Sequence, residues 1–165
     1  MESKHPVERA IPDVPDAIAE MIDLSTDMLW RYLSDRDGLS VSATLVLNRL
    51  NRQGPMRLTA LASAEGVSQS GMTQLVQRME GQGLLERSTD PDDGRASLVM
   101  IGETGRRFCD ARTNRWRQRI AELLPAVCRD DQTALWLATQ VVVRILGQMT
   151  TAADRQAQVG AELTG

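Results

Sequence analysis

The segment that decides the fold is residues 58–101, LTALASAEGVSQSGMTQLVQRMEGQGLLERSTDPDDGRASLVMI. Its first half predicts two short helices, over residues 60–65 and 69–81, joined by a turn that contains glycine. We expect Thr59 and Ser68 to cap these helices, because hydroxyl oxygens accept the free N–H groups of a first turn. A helix, a short turn and a second helix form a helix-turn-helix unit.

The second half of this segment predicts a β-hairpin, with strands over residues 84–88 and 96–101 around a polar, turn-rich tip. A hairpin that directly follows a helix-turn-helix makes a winged helix. A wing tip that approaches DNA needs a cation, since narrow minor grooves attract arginine, and Arg95 lies at this tip. We expect Asp93 to hold the tip in shape, through loop amides or a neighbouring arginine such as Arg87.

The second helix of the unit predicts a two-sided surface, with Met72, Leu75 and Val76 facing inward. The recognition helix of such a unit lies in the major groove, where Gln pairs with adenine, Arg with guanine, and hydroxyls with bases or phosphates. A polar outer face also suits an ordinary surface helix, and the hairpin that follows is what favours DNA. The predicted DNA contacts are Ser68, Gln69, Ser70, Thr73, Gln74, Gln77 and Arg78, with Arg95 from the wing.

Apolar periodicity extends on both sides of the winged helix, with Asp16 and Ser40 as expected helix caps. The chain is therefore predicted to be mainly α, with a small β-hairpin wing. The predicted divisions are an arm over residues 1–15, a single domain over 16–150, and a frayed tail over 151–165. Within the domain they are a winged helix over about 40–101 and flanking helices over about 16–36 and 103–150.

Composition excludes several classes of protein. The 165 residues are 42% hydrophobic and 25% charged, which is typical of one soluble globular domain. The single histidine, His5, lies in the arm, which excludes a core catalytic histidine and a zinc site built from several histidines. Adjacent carboxylates occur only at an expected turn and an expected helix start. We therefore predict no enzyme, no cofactor and no metal site.

Two cysteines, Cys109 and Cys128, without a CxxC pair or a secretory signal, indicate a reduced, cytoplasmic compartment. No run approaches about 18 apolar residues, so no membrane span is predicted. The net charge of −3 argues at first against a nucleic-acid partner. However, residues 1–40 hold 4 basic and 9 acidic side chains, whereas residues 41–129 hold 13 basic and 9 acidic. A net-negative chain whose basic residues are concentrated in one segment can still bind DNA, and its non-specific binding is expected to be weak.

The motifs of this region resemble the MarR (multiple-antibiotic-resistance regulator) family of winged helix-turn-helix regulators. The resemblance covers residues 56–107 and, with the flanking helices, about residues 16–150. It is carried by LTALA at 58–62, GVS at 66–68, LVQRME at 75–80, GLLER at 83–87 and DPDDGR at 90–95, which matches the family's Asp-x-Arg wing pattern. The sequence departs from the family pattern at Gln69, Gln74, Gly71, Glu65 and Gly102.

The resemblance implies an obligate homodimer, formed by the N- and C-terminal helices, that presents two winged helices to a palindromic operator in double-stranded DNA. The two recognition helices would lie about 34 Å apart. Apolar stripes at 18–33 and 134–149 agree with a dimer, although an ordinary monomeric core would also use them. The implied function is a transcriptional regulator, expected to be a repressor, that a small aromatic or anionic effector releases from DNA.

An effector would bind between the dimerisation helices and the winged helix, where the candidate ligand-binding residues are Trp30, Trp116 and Arg112. Core filling and a solvated helix face are the simpler interpretations of these residues. Two alternatives for the whole chain remain. One is a degenerate winged-helix dimer that binds a partner protein, and the other is a redox sensor that uses Cys109 or Cys128.

Overall fold

A computed structural model describes residues 13–33, 38–91 and 97–162. They divide into two compact units, with the boundary between residues 35 and 36. The first unit holds α1, Val14–Met28, which a π-helical turn continues over Leu29–Leu33. The helix begins before the expected cap at Asp16, since Pro15 in its first turn lacks an N–H that would need a partner.

The second unit contains the remaining helices and all the strands. The elements are α2 Val41–Gln53, β1 Met56–Arg57, α3 Leu58–Ala64, α4 Gln69–Gly81, β2 Leu85–Thr89, β3 Ser97–Ile101, α5 Glu103–Leu123 and α6 Arg129–Glu162, with a 3-10 turn Leu124–Ala126 before α6. This order confirms the predicted fold class, a mainly helical chain with a small hairpin inserted after a helix-turn-helix.

The hairpin is part of a three-stranded antiparallel sheet of order β1-β3-β2. Leu85 lies opposite Ile101 in the hairpin, and Met56 of β1 lies opposite Val99. Strand β1 was not predicted, because two residues are too few to show a periodicity. Helix α3 starts directly after it at Leu58, without a side-chain cap, so the predicted cap at Thr59 is wrong.

The core lies where α2, α4 and the hairpin meet. Ser40 caps α2 as predicted, with its hydroxyl oxygen 3.3 Å from the Ala43 N–H that it accepts. The side chains that fill the core are the apolar positions of each element's inner face. They include Ala43, Val46, Leu47 and Leu50 of α2, Met72, Leu75, Val76 and Met79 of α4, and Leu85, Val99 and Ile101 of the strands.

Helix α5 begins in close contact with the turn that follows α4. A Cβ added at Gly102 would lie 2.7 Å from the Gly83 carbonyl oxygen, and one at Gly105 would lie 2.2 Å from the Leu84 carbonyl oxygen. Both distances are too short for a side chain. The backbone approach therefore explains why a glycine stands at 102, where the family that the sequence resembles usually has a threonine cap.

Helix α6 is longer than the sequence indicated. It continues to Glu162, whereas the sequence predicts a domain that ends at residue 150 and a frayed tail after it. Asp154 accounts for part of the difference, because it forms an ion pair with Arg49 of α2 at 2.9 Å. In the described part of the chain, no helix is both long and apolar enough to cross a bilayer.

Candidate nucleic-acid interface

Helix α4 is fixed at both ends by the signals that the sequence carries. The Ser68 hydroxyl accepts the Gly71 N–H at 3.2 Å, as an N-cap. At the other end Gly83 has a φ of +69°, a left-handed conformation that glycine adopts without strain. The Leu84 N–H then donates to the Met79 carbonyl at 2.9 Å, which completes a Schellman motif.

The outer face of α4 carries the predicted DNA contacts. The exposed residues among them are Gln69, Ser70, Gln74, Gln77 and Arg78. Glu80 is the only acidic residue on this helix. The face is therefore polar, rich in donors, and nearly free of the negative charge that would repel a phosphate.

Three hydroxyl groups of this helix and its N-cap already have hydrogen-bond partners nearby. Thr73 is half-buried, and its hydroxyl donates to the Gln69 carbonyl at 2.7 Å. The Ser68 and Ser70 hydroxyl oxygens lie 3.2 Å apart, within hydrogen-bond distance. The Thr73 hydroxyl has therefore already donated its hydrogen, and its oxygen can only accept a further hydrogen bond.

The wing is described at its base and not at its tip. Asp93 and Arg95, the predicted tip residues, lie outside the described residues, so their positions stay predictions. Arg87 lies on β2, and its Nε is 2.9 Å from a carboxylate oxygen of Glu80 on α4. The charges are close, but the N–H is not aimed at that oxygen, since no hydrogen bond forms there. Arg87 therefore lies between the hairpin and the end of α4.

An ion pair that the sequence did not predict supports the base of the wing. Asp90, at the end of β2, is 6% exposed and accepts a 2.7 Å hydrogen bond from the Nε of Arg57 on β1. Buried carboxylates need such a partner, because desolvation of an unpaired charge is costly. No local sequence signal links these residues, since 33 positions separate them and β1 was not predicted.

The predicted effector residues fall in both units. Trp30, in the π-helical turn of the first unit, is 58% exposed. In the second unit the Arg112 guanidinium lies over the Trp116 ring, 5.1 Å from its centroid, and 5.8 Å from that of Phe108. Arg112 is 9% exposed, which is unusual for an arginine.

The hydrogen bonds of Arg112 are incomplete. Its Nη2 donates to the Asn48 side-chain oxygen on α2, whereas its Nε has no acceptor among the described residues. A buried cation flanked by aromatic rings, with a free donor, is chemically suited to an anion that also carries an apolar surface.

The cysteines differ in their surroundings. Cys109 is buried, and burial raises the pKa of its thiol, although nearby Arg112 acts in the opposite direction. The reactive thiolate is therefore disfavoured at this position. Cys128 is exposed, and its sulfur accepts the Asp131 N–H at 3.4 Å, at the start of α6.

Comparison with known proteins agrees with this geometry. The MarR family model matches residues 39–97. An uncharacterized HTH-type transcriptional regulator of Mycobacterium bovis is 26% identical over 118 residues, 72% of this chain and 82% of that protein. The HTH-type regulator YxaD of Bacillus subtilis is 30% identical over 86 residues, 52% of this chain and 60% of that protein.

Solved structures show the same fold. A transcriptional regulator of Thermotoga maritima aligns with a TM-score of 0.64 and 21% identity, over 84% of this chain and 94% of that one. The apo form of MarR from E. coli aligns with a TM-score of 0.61 and 22% identity, over 81% and 98%. The family and these relatives are transcriptional regulators and not enzymes.

Proposed function

We propose that this chain, which matches the MarR family model over residues 39–97, is a cytoplasmic repressor that binds a palindromic operator as a homodimer. The observation that carries the proposal is the outer face of α4, where exposed Gln, Ser and Arg side chains lie opposite a buried inner face. Such a helix can present hydrogen-bonding groups to the major groove, and Arg95, at the predicted wing tip, would contact the minor groove or the backbone.

Selection of bound sequences from a random DNA pool, followed by salt-dependent binding to the selected palindrome, tests this proposal. Gln74→Ala should cost about 1–3 kcal/mol and relax base choice in each half-site. Arg95→Ala should weaken binding to all sequences and lower the salt slope by about 1 for each phosphate that Arg95 neutralises. Arg117→Ala is the matched control, because Arg117 is exposed on α5 and bonds to Asn114 of its own helix.

Unchanged affinity in Arg95→Ala would contradict the wing assignment. A wild-type protein that binds no DNA sequence, but retains a folded dimer, would instead favour the protein-interaction module.

The proposed homodimer is supported by residues 134–149 of α6, where most side chains are apolar and several large ones are exposed. Leu135, Trp136 and Leu137 are 56%, 63% and 55% exposed, and these consecutive positions point in different directions. A helix segment that is apolar on several sides is normally buried. A second copy of the chain is the occupant that matches a regulator of two-fold symmetric DNA.

Sedimentation at micromolar concentration tests the dimer. Leu137→Glu should shift the protein toward monomers, because a charge would be buried without a partner. Asn51→Glu, at an exposed polar position of α2, should leave the assembly unchanged. A monomeric wild-type protein would contradict the proposal.

We propose further that a small aromatic anion is the effector, bound at Arg112 and Trp116. The support is the buried guanidinium of Arg112, its unpaired Nε and the ring beneath it. Aromatic carboxylates should release the protein from DNA, whereas the matching neutral amides should not. Arg112→Gln should keep DNA binding but lose the response, and a variant that still responds would refute the assignment.

A further inference from the structure

The Arg49 guanidinium on α2 binds two carboxylates, and Gln53 binds one of them; we call these residues the Arg49 cluster: Arg49, Gln53, Glu65 and Asp154. The Arg49 Nε lies 2.5 Å from a Glu65 carboxylate oxygen, and its Nη1 donates to both oxygens of Asp154 at 3.0 and 2.9 Å. Its Nη2 donates to the Ala64 carbonyl at 3.2 Å, and Gln53 donates to Asp154 at 3.1 Å. All three nitrogens of the guanidinium are therefore used.

The Arg49 cluster is largely shielded from water. The side chains of Arg49, Glu65 and Asp154 are 16%, 12% and 22% exposed. Burial acts to lower the pKa of Arg49, but the hydrogen bonds to Glu65 and Asp154 outweigh it and raise that pKa. Salt screens such sheltered charges less than it screens surface pairs, so the cluster persists at ionic strengths that weaken exposed ion pairs.

The carboxylates of Glu65 and Asp154 come from different parts of the fold. Glu65 is the C-cap residue of α3 and stands three positions before Ser68, the N-cap of α4. Asp154 lies near the far end of α6, about 27 Å along the helix from Trp136, at ~1.5 Å per residue. Helix α6 thus connects the exposed apolar surface at its start with the helix-turn-helix at its end.

We propose that Arg49 and Asp154 are positioning residues that fix the helix-turn-helix on the end of α6. In the dimer, the separation of the two recognition helices would then follow the arrangement of the two α6 helices. The inference rests on the proposed function, since it assumes that α6 forms the dimer and α4 reads DNA. It also explains Glu65, a charged residue where the family usually has an apolar one, because Glu65 supplies the second carboxylate.

Hydrogen exchange in the full-length protein tests the connection without DNA. Asp154→Asn keeps the shape of the side chain but removes its charge, so amides of residues 61–72 should exchange about fivefold to tenfold faster. Glu103→Gln is the matched control, because Glu103 forms an exposed ion pair with Arg107 on α5 at 3.6 Å. Asp154→Asn should add nothing in an Arg49→Gln background, since the shared ion pair is already absent.

A series of operators with different half-site separations tests the consequence. The wild-type protein should prefer one separation at least tenfold, while Asp154→Asn should bind neighbouring separations within about threefold of each other. Ile101→Val controls for reduced stability, because Ile101 is buried in the core and absent from the Arg49 cluster.

Unchanged exchange in Asp154→Asn would overturn the proposal, and so would an unchanged separation profile. If the wild-type protein binds no palindrome, the proposed function fails, whereas the exchange result still decides whether Asp154 holds the helix-turn-helix.

Discussion

Replacement of Gly105 by alanine tests the contact between α5 and the turn after α4. The new Cβ would lie 2.2 Å from the Leu84 carbonyl oxygen, 2.9 Å from a side-chain carbon of Ile101 and 3.1 Å from one of Leu47. The Leu84 carbonyl has little freedom to retreat. It accepts the Gly102 N–H at 2.9 Å, and the Leu84 N–H is bonded to Met79.

The expected magnitude follows from two opposing effects. Overpacking a tight site costs about 1–3 kcal/mol and occasionally more, and the backbone contact places Gly105→Ala at the upper end. Alanine in a helix recovers about 1 kcal/mol relative to glycine. The net loss should be about 2 kcal/mol, which lowers the Tm by about 4–8 °C in a chain of this size.

Circular dichroism melts at one fixed protomer concentration measure this effect, because the Tm of an oligomer depends on concentration. Gly81→Ala is the control, since an added Cβ there meets nothing within 4 Å. It should leave the Tm unchanged or raise it slightly. A Gly105→Ala variant with a Tm equal to or above that of the wild-type protein would refute the close approach of α5.

Three further predictions concern individual side chains. Asp90→Asn should lower the free energy of unfolding by about 1.5–3 kcal/mol in urea melts. The loss should be near the lower value, because the partner Arg57 is half-exposed. An unchanged free energy of unfolding would show that the Arg57–Asp90 ion pair does not stabilise the fold. Ser68→Ala should cost about 1 kcal/mol because it removes the N-cap, and Ser70→Ala less, measured by the same melts; equal losses would contradict the cap. Iodoacetamide should modify Cys128 well before Cys109 between pH 7 and 9, because the raised pKa of Cys109 keeps its thiol protonated as the pH rises. Mass spectrometry of each Cys→Ser variant measures the two modification rates. Equal rates would contradict the burial of Cys109.

The sequence alone predicted the elements whose signals are local. Helix α4 begins and ends at the predicted residues because Ser68, Gly83 and the spacing of Met72, Leu75 and Val76 all act within one or two turns. The hairpin was recognised for the same reason, since two apolar runs flank a turn-rich segment. These features also carry the family resemblance, so the class of function was accessible before the structure.

Only the tertiary structure revealed the contacts between distant segments. Strand β1 forms because it pairs with β3. This pairing places Arg57 close enough to form the ion pair with Asp90. The ion pair between Arg49 and Asp154 joins two residues that lie 105 positions apart in the sequence. Helical periodicity reports which face of a helix is apolar, but it carries no information on which distant charge that helix meets. The position of the helix-turn-helix relative to α6 is therefore a property of packing, set by charges that only the folded chain brings together.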